Sequence, residues 1–136
     1  MKNFKQFITE ITIKLSGFKG TDNSEKVNKF MDEYHNTSKE HLMNKHARVI
    51  GNAHVHVTPS KSGVHINDIQ SHEQGSGSGT KALKHLTNLA DKHNVKLDLY
   101  AKGYGSTSSG KLRKWYSRHG FVSDSGDKSD MTRHPL

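Results

Sequence analysis

The chain of 136 residues predicts an α/β (α+β) fold, a mixed β-sheet flanked by helices. Three observations predict it. Apolar spacing is helical before residue 48 and switches to period two over 53–58. A glycine-rich turn, residues 74–80, is followed at once by an amphipathic helical pattern. Alternation then returns over 97–101, so strand, helix and strand follow one another.

The elements follow in chain order. Phe4, Phe7, Ile8, Ile11 and Leu15 repeat at roughly helical spacing and suit a short helix or a first strand, closed by Gly17 and Gly20. Residues 1–20 therefore read as a leader and 21–136 as the domain proper. Asp22, Asn23 and Ser24 offer caps to a helix whose apolar stripe is Val27, Phe30, Met31 and Tyr34. Ser38 is expected to cap a second short helix ending near His46. Ala53, Val55 and Val57 alternate with His54, His56 and Thr58 as a half-buried strand. Pro59–Gly63 is a turn, after which Val64 and Ile66 resume the alternation. Ile69 is one step out of phase, which a bulge near Asn67–Asp68 repairs. Ala82, Leu83, Leu86, Leu89 and Ala90 mark a helix over 80–93, ended by Asn94. Leu97, Leu99 and Ala101 form a strand, and 103–110 a loop. Leu112, Trp115 and Tyr116 stripe a short helix stopped by His119–Gly120. Phe121–Val122 begins a final strand, with Met131–Arg133 its partner or continuation.

Composition narrows the class. The chain is 30% hydrophobic with mean hydropathy −0.87, so its core is modest. No apolar run reaches membrane-spanning length, and no secretory signal opens the chain. There is no cysteine, hence no disulfide framework and no thiolate metal site; a cytoplasmic location fits. His54 and His56 lie two apart on one strand face, but no third ligand has telling spacing, so no metal is expected. Residues 75–136 carry 11 Lys/Arg against five Asp/Glu, and residues 1–74 carry 10 against eight. The basic half suits a polyanionic cofactor, a nucleic acid, or both.

The turn Gln74-Gly75-Ser76-Gly77-Ser78-Gly79-Thr80 is the one segment whose local sequence dictates a chemistry. Alternate glycines let successive N–H groups point into one concavity, and the following helix adds its unpaired N–H groups and positive dipole end. The result is a seat for phosphate. A Walker loop requires Gly-Lys-Ser/Thr, whereas Gly79 is followed by Thr80-Lys81. A dinucleotide fingerprint running from Gly77 places Ala82 at the third glycine and Asp98 near the acid position, but Ser71, His72 and Glu73 separate the strand from the loop.

A third pattern fits better. Gln74-Gly75-Ser76-Gly77-Ser78-Gly79 satisfies Gln/Arg-x-x-Gly-x-Gly/Ala, and Tyr116-Ser117-Arg118-His119-Gly120-Phe121 supplies Tyr-x-x-x-Gly-Phe at the end of a helix. In these two motifs, about forty residues apart, residues 64–121 resemble the GNAT superfamily of N-acetyltransferases. The resemblance implies a splayed sheet and acetyl-CoA as cofactor, its pyrophosphate on the amides of Gly75, Ser76, Gly77, Ser78, Gly79 and Thr80 after Gln74. It implies that the pantetheine arm runs between parallel strands 64–70 and 97–101. A backbone N–H near Ile69, Gln70 or Ser71 would stabilise the oxyanion, and Tyr116 would protonate the departing thiolate. Ser109 stands where many members carry asparagine. Glu73, His72 and Asp68, in that order, are the candidate general bases, with His65 also on the central strand. Lys111, with Arg113, Lys114 and Arg118, suits the ribose phosphate or a nucleic-acid backbone.

The implied reaction is direct acetylation of an amine acceptor, a small molecule or protein. The competing readings are an inactive protein of the same fold that binds host protein or nucleic acid, a virion component, and a transferase moving another acyl or aminoacyl group onto modified nucleobases. Members of the family often dimerise through C-terminal strands. The first ten residues also resemble the N-termini of many tailed-bacteriophage proteins, and Ile8-Thr9-Glu10 resembles a prohead-protease site, which implies a viral source and virion packaging.

Overall fold

The computed structural model describes residues 22–43, 47–71, 77–103, 108–124 and 128–136. The leader assigned to residues 1–20 lies outside them. So do His72, Glu73 and the start of the glycine turn, Gln74–Ser76.

Helix α1, Asp22–Asn36, buries Val27, Phe30 and Tyr34, three of the four residues of its apolar stripe; Met31 packs against the core from its edge. The segment Asp22–Ser24 lies inside its first turn. No second helix follows at Ser38. Thr37 and Ser38 instead donate hydroxyl bonds back to Glu33 O and Tyr34 O, at 2.7 and 2.6 Å, and close the end of α1. The chain then enters β1, Lys39–Glu40. Strand β2, Arg48–Ile50, was not expected from sequence, because three residues show no period. Its Arg48 donates to His35 O, Ser38 O and Ser38 Oγ at 2.7–2.9 Å, satisfying carbonyls that α1 leaves open at its end.

Strands β3, Ala53–Pro59, and β4, Val64–Ser71, form the antiparallel hairpin that the alternation predicts. Helix α2, Ser78–His93, crosses over from β4 to the parallel strand β5, Leu97–Tyr100. Asn94 ends α2 in the left-handed conformation, φ 57°, and its N–H caps Ala90 O and Asp91 O. Helix α3, Ser109–Ser117, begins earlier than the loop reading allowed, because Ser108 caps it by accepting from the Lys111 N–H at 3.1 Å. Strands β6, Val122–Ser123, and β7, Asp130–Arg133, are antiparallel partners. The sheet order is β1-β2-β3-β4-β5-β7-β6, with β4–β5 parallel between two antiparallel wings.

One sheet face carries Ala53, Val55, Val57, Val64, Ile66, Leu97, Leu99 and Met131, all buried. Phe30 of α1 and Leu83 and Leu86 of α2 join them in the core and are themselves fully buried. Each such side chain contributes about 1.5–3 kcal/mol through removal of its apolar surface from water. The other face carries His54, His56, Thr58, His65, Asp98, Tyr100 and Thr132, which are half-buried or exposed.

Candidate active site at the parallel strand junction

The two ends of β4 are built differently. At its start Gly63 lies so close to β5 that an added Cβ would stand 2.2 Å from Lys96 O. The Val64 N–H donates to that same carbonyl at 2.9 Å. Parallel pairing then runs Val64 to Leu97, His65 to Asp98 and Ile66 to Leu99, and ends. Strand β4 continues to Ser71 beside β3, while the Ala101 N–H after β5 donates to Ser129 O at 2.7 Å and draws the chain toward the other wing. A wedge opens where the two strands part.

The bulge marks the same point. His56 pairs with Asp68 and Val57 with Ile66, so Asn67 is the extra residue. It restores Ile69 to the core side, opposite Val55. It also sends Asp68 and Gln70 to the other face, across from His56 and His54. His54 Nε2 and Gln70 Oε1 are 2.8 Å apart.

Gly77 opens α2 with φ 78°, a conformation glycine takes without strain. No side chain caps this end and no acid lies in its first turn. The first helical bond runs from the Lys81 N–H to Gly77 O at 3.0 Å. Ser78 is buried, and Gly79 lies under the ring of Trp115, where an added Cβ would meet it at 3.7 Å. The Trp115 indole N–H donates to Thr80 Oγ1 at 3.1 Å. This bond ties the first turn of α2 to α3.

Beside Trp115 lies Tyr116, buried with its ring 4.8 Å from the indole and 5.5 Å from Phe121. Ser109 Oγ accepts from the Gly103 N–H at 3.0 Å, so part of its capacity is spent on holding the preceding loop. Lys111 is exposed on α3. Glu73, His72, Gln74, Gly75 and Ser76 fall outside the described residues. Among the described residues no three His, Asp or Glu gather as a metal site, and no helix is long and apolar enough to cross a membrane.

Sequence reasoning missed one pair. His65 Nδ1 and an Asp98 carboxylate oxygen form a short hydrogen bond across the last open-face position before the wedge. Both residues were legible as strand positions, but their juxtaposition depends on the parallel register. Asp98 accepts, so His65 Nδ1 carries the proton of this bond.

No protein-family model matches the chain, and no curated protein does. Among solved structures, the anti-CRISPR protein AcrVA5 aligns over 62% of this chain and 92% of its own, with TM-score 0.56 and 18% identity. An acyl-CoA N-acyltransferase from Pseudomonas aeruginosa aligns over 97% of this chain and 92% of its own, with TM-score 0.43 and 14% identity. The chain shares the fold of AcrVA5. Its described residues hold the central strands, the helix that Gly77 opens, and the helix bearing Tyr116.

Proposed function

We propose that this chain is an N-acyltransferase that moves the acetyl group of acetyl-CoA to an amine. The observation that supports this reading best is the wedge. A parallel pair that stops after Ile66 and Leu99 leaves an opening at the strand ends, beside the glycine turn. Ligands of open α/β sheets sit outside the carboxyl ends of parallel strands in this way. The donor set suits a diphosphate thioester. The start of α2 has no acid, a left-handed glycine at its cap, and Lys81 and Lys84 on the turns that follow.

In this reading the amides of 75–80 hold the pyrophosphate, and β4 at Ile69, Gln70 and Ser71 lines the arm. Acetyl-CoA supplies an activated acyl group. A backbone N–H of the bulged segment stabilises the oxyanion of the attacked carbonyl. Tyr116 delivers a proton to the departing sulfur. Its place is set by Trp115, which locks α3 to the first turn of α2. The incoming amine loses its proton to Glu73, His72 or Asp68. A homodimer and a cytoplasmic, phage-derived setting belong to the same proposal.

The test is thermal-shift titration with acetyl-CoA, CoA and NAD side by side. CoA ligands at 100 times their dissociation constant should add about 2.7 kcal/mol of stability. A shift with NAD alone, or none with CoA, overturns the reading. Tyr116→Phe should keep that shift and lower turnover, and unchanged turnover removes Tyr116 as the acid.

A further inference from the structure

Helices α2 and α3 each present a stripe of cations. Lys81 and Lys84 are three apart on α2; Lys111, Lys114 and Arg118 run i, i+3, i+7 along α3 and its cap. All five are exposed. The stripes adjoin. The Trp115 ring covers Gly79 and its indole donates to Thr80, while His119 at the end of α3 lies within the fields of Lys84, Arg118 and Arg133. Burial and then these three cations hold His119 below the usual histidine range.

Among the described residues of 77–120, no carboxylate is left to offset them. The carboxylates within 77–120 are Asp91 and Asp98. Asp91 is held by Arg133 at 2.8 and 3.0 Å, and Asp98 by His65 on the far side of the sheet. Nor does the face expose an apolar centre; Trp115 at the junction is half-buried against α2. The large hydrophobics exposed among the described residues are Leu42, Met43, Tyr100, Val122 and Leu136, and none lies on α2 or α3. A protein-binding face has an apolar or aromatic centre and is poor in lysine, the reverse of this one. Flexible ammonium groups without such a centre match a row of phosphates, each neutralised as a point charge and none read for sequence.

We propose that the joined faces of α2 and α3 bind the sugar–phosphate backbone of nucleic acid, without base specificity. The face shares Lys81 and Lys84 with the proposed cofactor seat, and measuring nucleic-acid binding with and without acetyl-CoA makes the two readings fail separately.

The test is fluorescence polarisation with labelled single-stranded DNA, the matching RNA and a duplex, across a salt series, without and then with saturating acetyl-CoA. Five neutralised phosphates should give a log–log salt slope of about −3.5 on single strands and about −4.5 on duplex. The triple variant Lys84→Gln, Lys114→Gln, Arg118→Gln should reduce the single-strand slope by about 2 and keep its melting temperature. Lys26→Gln with Lys96→Gln, both beyond the other end of α2, should leave the slope as it was. Four results overturn the proposal. They are absence of binding at low salt, equal loss in the control variant, binding of polyglutamate as tight as that of the oligonucleotides, and displacement by acetyl-CoA. The third would mean an acidic protein partner, and the fourth a cofactor subsite.

Discussion

The first three residues of β4 and its last five do opposite jobs in one strand. Val64–Ile66 are paired on both sides, and the turn before them presses Gly63 onto Lys96 O. Past the extra residue Asn67, the parallel ladder to β5 is over and only the β3 ladder continues. The closed half holds the fold, and the open half gives it a wedge. One inserted residue separates the two because a bulge turns the strand locally without disturbing the core alternation on either side.

The largest effect is expected at the closed half. Arg133, opposite Leu97, is 5% exposed; it grips Asp91 of α2 through both nitrogens and donates to His119 O at 2.8 Å. Arg133→Met strands a carboxylate and a carbonyl and should cost about 3–5 kcal/mol in urea denaturation. The pH dependence has a definite sign. The hydrogen bond from Arg133, foremost, holds the Asp91 carboxyl below its ordinary value despite the opposing effect of burial. Its stabilisation is therefore complete above about pH 3.9, the ordinary aspartate value, and is lost as the pH falls through the lowered one. Arg133→Met should flatten that acid limb.

Deleting Asn67 sharpens the contrast most directly. Ile66, Asp68 and Ile69 would then alternate regularly against Val57, His56 and Val55, so the hairpin should fold with stability changed by under about 1 kcal/mol. The wedge should close and the roughly 2.7 kcal/mol of stabilisation expected from CoA should vanish. A deletion variant that still responds to CoA would separate the bulge from binding. Gly63→Ala has the smallest expected effect on CoA binding. Its methyl meets a backbone oxygen that must give way, at about 1–3 kcal/mol, with the CoA response preserved once the variant is folded.

The bulge was legible in the sequence because Ile69 breaks the alternation by one. The length of β4–β5 pairing was not, since Leu97, Leu99 and Ala101 read as a strand of any register. The short helix expected after Ser38 failed for a local reason. Ser38 and Thr37 cap carbonyls behind them rather than N–H groups ahead. Strand β2 escaped notice because a three-residue edge strand is defined by its partners, here His54 and Val55 through Val49 and Arg48.

Sequence by itself determined the local choices: where apolar period changes, where glycine permits a left-handed turn, which helix faces are apolar and which are cationic. These follow from sterics and spacing within a few residues. Tertiary structure alone decided that β7 enters between β5 and β6, that His65 meets Asp98, that Trp115 fastens α3 to α2, and that the two cation stripes become one face. The His65–Asp98 and Trp115–Thr80 contacts join residues 33 and 35 positions apart, and their geometry is fixed only when the sheet closes around a shared core.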